Sequence, residues 1–96
     1  MKNVPILLSE ISLVPIKPKD GLLGFASLVL NGQFYVGEIA IRSRPQGGIR
    51  LLYPTKKLLN GREVAVFHPI SKNSGEQVQE AVAEQWEVLM HLKGNA

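Results

Sequence analysis

There is no cysteine in this 96-residue chain, so a disulfide framework, a thiol nucleophile and a thiolate metal site are all excluded, and a reducing cytoplasm is the expected location. Long hydrophobic runs are missing as well. The longest uncharged apolar stretch, Leu22 to Leu30, is far short of the ~20 residues that cross a bilayer. Near the N-terminus Glu10 interrupts the short apolar run from Val4 to Leu8, with no small-residue cleavage site after it, so no signal peptide is read. Histidine is scarce. His68 reads as a packed or hydrogen-bonded imidazole at a strand end, and His91 falls at the far end of the expected helix. Paired carboxylates, a nucleophile with its base, and ligands at metal spacing do not appear, so no enzyme activity, cofactor, metal or small-molecule substrate is expected. Gly47-Gly48 has no Lys-Ser/Thr after it and precedes a strand, so it reads as a turn and not a phosphate loop.

What the chain does have is segregated charge. The total is +3, yet residues 1–41 balance to zero, residues 42–72 carry seven cations against Glu63 for +6, and residues 73–96 carry Lys93 against four glutamates for −3. A basic middle and an acidic tail steer a polyanion to one surface and repel it from another.

Turn chemistry divides the chain. Ile11 to Ile16 is a first apolar run, closed by Pro15 and the cluster Lys17-Pro18-Lys19-Asp20-Gly21. Leu22 to Leu30 and Phe34 to Arg42 flank Asn31-Gly32, a strong hairpin signal. Arg44 to Gly48 is another turn, Ile49 to Tyr53 a short strand, and Arg62 to His68 the last. Ser74 then opens a helix, with Gln77 completing a capping box and Glu76 near the positive end of the dipole. Val78, Ala81, Val82, Gln85, Leu89 and Leu92 follow at helical spacing, with Trp86 and Met90 widening the stripe. The four helical glutamates read as a solvated face.

The expected fold is therefore α+β: an antiparallel β-meander of about five strands with one C-terminal amphipathic helix. It forms a single domain over residues 11–93 after an N-terminal extension of residues 1–10. Strict alternation gives the hairpin two apolar faces. Leu23, Phe25 and Val29 oppose Ala26, Leu28 and Leu30, while Phe34, Val36 and Ala40 oppose Tyr35, Ile39 and Ile41. One helix covers one face only, so a homodimer is expected to cover the other.

The segment with the most functional content is Pro54 to Ile70, PTKKLLNGREVAVFHPI. Asn60-Gly61 suits the two positive-φ positions of a type I′ turn, which places Lys56 and Lys57 on the incoming arm of a ribbon and Arg62 on the outgoing one. Pro69, which lacks an amide hydrogen, ends the strand near His68. Lys56, Lys57 and Arg62 are thus the first candidates for nucleic-acid contact, with Arg42 and Arg44 before a turn and Arg50 at the next strand start as further phosphate contacts.

The same segment resembles the SpoVG family of small bacterial septation and sporulation regulators. The resemblance rests on Pro54-Thr55-Lys56-Lys57, Gly61 and His68-Pro69-Ile70, and continues through Ala26-Ser27, Leu30, Phe34, Val36, Ile39, Ile41, Gly48, Gln79 and Ala81-Val82. It implies a dimeric, sequence-selective DNA- and RNA-binding regulator without catalytic activity. Lys57, Leu58-Leu59 and Val64-Ala65 depart from the family pattern, which has Arg, Thr-Pro and Arg-Asp at those places. Lysine lacks the bidentate fork that arginine offers a guanine edge, so the tip is read as gripping backbone more than bases. The alternative is a protein-interaction module of division or sporulation control, whose basic tip meets an acidic protein.

Overall fold

A computed structural model describes residues 5–94. Four strands form one antiparallel meander in chain order: β1 (Leu8–Lys19), β2 (Leu22–Leu30), β3 (Phe34–Ser43) and β4 (Ile49–Leu52). Two short strands, β5 (Thr55–Lys57) and β6 (Glu63–Ala65), make a separate ribbon, and α1 (Lys72–Gly94) closes the chain. The expected meander of about five strands is thus corrected to four strands plus a detached two-stranded ribbon. Pro54, with no amide hydrogen for a ladder, stands at the break between β4 and β5. The last strand also ends at Ala65 and not near His68.

Turn chemistry accounts for most of the meander. Asp20 and Gly21 both take positive φ, 52° and 85°, so β1 reverses in two residues; Lys17 to Lys19, expected in a turn, belong to the strand. Asn31 and Gly32 also sit at positive φ, and the Gln33 amide donates to the Leu30 carbonyl at 3.0 Å. That hairpin stands where the sequence puts it. β1 starts at Leu8, already within the expected extension.

The core lies between the sheet and α1. Ile39, Ile41 and Val82 are completely buried, joined by Ala26, Leu28, Val36, Ile49, Val78 and Trp86. Fully burying each large apolar side chain is worth roughly 1.5–3 kcal/mol. Val36 belongs to this set although strict alternation places it opposite Ile39 and Ile41. The reason is a β-bulge. Ala26 pairs with Ile39 and Leu28 with Val36, so the one residue between them on β2 faces both Gly37 and Glu38 on β3, and Glu38 takes a φ of 56°. The extra residue resets the phase, moving Val36 inward and leaving Tyr35 in solvent. A register shift between Leu22 and Gly24 similarly lets Leu23 pack against the core.

The helix begins earlier than the sequence suggests. Ser71 is its cap: its Oγ accepts the Ser74 amide at 3.0 Å, and its carbonyl accepts the Gly75 amide at 3.1 Å. Gln77, expected in a capping box with Ser74, accepts the Ile6 amide at 2.8 Å and ties the segment before β1 to the helix. Gln79 Nε2 donates to the Ile49 carbonyl at 2.8 Å, fixing α1 to β4. The inward stripe is Val78, Val82 and Trp86 at four-residue spacing, while Gln85 and Leu92 lie exposed.

Candidate nucleic-acid interface

The ribbon turn is a three-residue loop and not the two-residue I′ turn expected. The Leu58 amide donates to the Arg62 carbonyl at 2.7 Å and the Gly61 amide to the Leu58 carbonyl at 2.9 Å. Of Asn60 and Gly61, only Gly61 has positive φ, 87°, the geometry of a turn closed by a glycine bulge. Asn60 stays at negative φ because its Oδ1 accepts the Arg62 amide at 3.0 Å, which caps the turn from the side chain.

Register decides how the cations are shared. Lys56 pairs with Val64 and Lys57 with Glu63, and side chains alternate along a strand, so Lys56 and Lys57 project from opposite faces of the ribbon. Alternation from Glu63 puts Arg62 on the Lys56 face. Lys57 shares its face with Glu63, whose Oε1 accepts the Thr55 hydroxyl at 3.0 Å. The three expected contacts therefore split into a basic face, Lys56 with Arg62, and a face where Lys57 stands across from an acid. β5 and β6 make their main contacts with each other.

The arginines of the sheet occupy a second place. Arg42 on β3 lies directly across from Arg50 on β4, with Leu22 on its other side and Lys19 next along the row. Like charges set opposite each other across a sheet repel, so this row attracts anions. Lys19 is the member that sequence reasoning missed, because the Lys17–Asp20 cluster reads as a turn. Arg42 is partly committed: its Nη2 donates to the Asp20 carbonyl at 2.7 Å and clamps the β1–β2 turn. Arg44 is exposed in the β3–β4 turn, where its amide donates to the Gly48 carbonyl at 3.1 Å. Since β4 runs from Arg50 toward the ribbon, the row and the ribbon tip lie at opposite ends of that path.

Among the described residues the ion pair within reach is Lys72 with Glu76, at 3.9 Å. The cations of the ribbon and of the Arg42–Arg50 row make no ion pair within that distance among the described residues. Glu76, Glu80, Glu84 and Glu87 are all exposed on α1. Between sheet and ribbon lies an open cleft of about 530 Å³, bordered by Tyr35, Gly37 and Glu38 of the bulge and by Pro54, Thr55 and Phe67. Tyr53 packs against Phe67 beside it, ring centres 6.2 Å apart, and burial pushes the Tyr53 hydroxyl up from 10.0 to about 12. His68 Nδ1 lies 2.9 Å from the Pro69 carbonyl.

The sheet face away from α1 exposes apolar side chains among the described residues. Register aligns Val14, Phe25, Ala40 and Leu52 in one row across all four strands. Val14, Phe25 and Leu52 are exposed by 59%, 38% and 41%. Among the described residues no group of His, Cys, Asp or Glu is placed to hold a metal ion, and no helix is long and apolar enough to cross a membrane.

The SpoVG family model matches residues 7–88 of this chain. Proteins from three strains of Clostridium perfringens, each named "Putative septation protein SpoVG", are 24% identical to it over 85 residues, which is 88% of this chain and 93% of theirs.

Proposed function

This chain belongs to the SpoVG family, and from that premise we propose that it is a cytoplasmic nucleic-acid-binding regulator in the control of septation or sporulation. It binds DNA, and RNA of suitable shape, through the β5–β6 ribbon presented twice by a homodimer. The observation that carries this reading is that alternation puts Lys56 and Arg62 on one face of a ribbon, with no ion-pair partner for either among the described residues. A septation role follows the name of the Clostridium relatives. Affinity comes from phosphate neutralisation and the accompanying release of counterions. Base readout is the smaller share, since Arg62 is the ribbon's single arginine and the lysines act as point charges.

The homodimer rests on the apolar row of Val14, Phe25, Ala40 and Leu52. A second copy related by a two-fold axis offers the same row in return, and the mutual burial removes apolar surface that a monomer leaves in water. The acidic face of α1 keeps nucleic acid off the helix side.

Selection of bound sequences from random pools, run as duplex DNA and as RNA, tests the reading. Retention and enrichment of a motif in either pool is the expected result. A pool that passes unretained, together with capture of an acidic protein through Lys56 and Arg62, assigns the ribbon to protein contact instead.

A further inference from the structure

Leu59 stands at the head of the ribbon and is 111% exposed, with Leu58 beside it at 37%. The turn does not require a leucine there. Its closure uses backbone groups of Leu58, Gly61 and Arg62 and the side chain of Asn60, and a Cβ built at Gly61 meets nothing within 4 Å. The tip projects into open space with an apolar side chain in front. Behind that point lies the basic face of Lys56 and Arg62, with Lys57 on the other face across from Glu63. A flat anionic surface meets only one face of a ribbon. A groove walled by phosphates takes in the whole tip, with the Lys56–Arg62 face against one wall, and its floor is the edges of stacked base pairs, whose apolar faces are exposed where a step opens.

We infer that Leu59 is a wedge: the ribbon tip enters the minor groove of duplex DNA, and Leu59 inserts between two base pairs, unstacking that step and bending the helix. Apolar side chains carried into the minor groove by basic elements act in this way, at a deformation cost that the added phosphate contacts offset. Pyrimidine–purine steps unstack most readily and are the expected insertion points. The inference rests on the nucleic-acid reading above and adds to it a structural class of target and a mechanical effect.

The test uses the full chain with duplexes carrying a donor and an acceptor dye at their ends, one continuous and one softened by a central mismatch. Saturating wild-type protein is expected to raise energy transfer and to prefer the softened duplex by roughly tenfold. Leu59→Ala removes only an exposed side chain, so the fold is retained. It is expected to bind continuous duplex within about threefold of wild type, to leave energy transfer at the free-DNA value, and to hold no more than about a twofold preference. Leu59→Phe should bend as wild type does. Bending by Leu59→Ala equal to wild type overturns the wedge, as does wild-type binding without bending or binding confined to single strands. Attachment to anionic vesicles that needs Leu59, with no DNA bending, overturns it in favour of a membrane contact. Failure of wild type to bind either duplex or RNA removes the nucleic-acid reading itself, and the wedge falls with it.

Discussion

Deleting Glu38 from the middle of β3 should leave the protein folded and about as stable as before. An ordinary strand loses its face pattern when one residue is removed, because side chains alternate with a period of two. Here Glu38 is the extra residue of a bulge. Without it, Val36 and Ile39 are two residues apart and fall on one face by simple alternation, while Leu28 still meets Val36 and Ala26 still meets Ile39. The pairing of β3 with β4 begins at Ala40 and is untouched. The deletion also removes a non-glycine residue from a φ of 56°, a strain of about 1–2 kcal/mol, against the loss of local twist that the bulge supplies. The expected net change is within about 1 kcal/mol, a shift of no more than about 8 °C in Tm for a domain of this size.

Deleting Ala40, two positions further on, gives the contrast. It makes Ile39 and Ile41 neighbours, so one of two completely buried isoleucines must turn outward. That forfeits roughly 1.5–3 kcal/mol of transfer free energy and leaves a void, for a total of about 3–5 kcal/mol. Thermal and urea unfolding of the two variants measures the difference. Equal destabilisation by both deletions would refute the claim that the bulge sets the phase of β3.

Gly24→Ala is expected to cost about 1–3 kcal/mol in urea unfolding, because a Cβ there lies 2.6 Å from the Val14 carbonyl oxygen and 3.0 Å from Pro15 Cα, both backbone atoms. Ser71→Ala should cost about 1 kcal/mol through loss of the helix cap, and Ser74→Ala less; the reverse order in thermal melts would return the cap to Ser74. Leu52→Asp sets a charge into the apolar row of the open face, so sedimentation at micromolar concentration should show a dimer for wild type and a monomer for the variant; a wild-type monomer refutes the proposed pairing. The Tyr53 hydroxyl ionises at about 12 in the folded chain against 10.0 in the unfolded one, so its contribution is complete below pH 10 and is lost as pH rises toward 12. Tyr53→Phe should flatten that alkaline decline, and an unchanged profile would place its cause elsewhere.

The fold was legible where local chemistry fixes it. Asn31-Gly32 demands positive φ at two successive residues, and the hairpin is there. Apolar spacing located α1 and its Val78, Val82 and Trp86 contacts. The parts that could not be read depend on pairing. No single-strand pattern shows that Glu38 is an extra residue, since the bulge is defined by two residues on β3 facing one on β2. The same holds for the site. Clustering of Lys56, Lys57 and Arg62 at one turn follows from Asn60-Gly61, but their division between two faces follows from the register of Lys57 with Glu63. Lys19 joins Arg42 and Arg50 only because Leu22 pairs with both of its neighbours across the sheet. Ser71 and Ser74 are both plausible caps by composition, and the choice is made by which hydroxyl reaches the third amide.

Phosphate neutralisation by the ribbon shows itself in the salt dependence of duplex binding. If a dimer uses about four to six phosphate contacts, log K falls with log salt at a slope of roughly −4 to −5. Lys56→Ala with Arg62→Ala removes the basic face from both copies and should flatten the slope to about −2 or less, whereas Lys57→Ala, whose residue faces Glu63, should change it least. A double variant that keeps the wild-type affinity and slope would contradict the account.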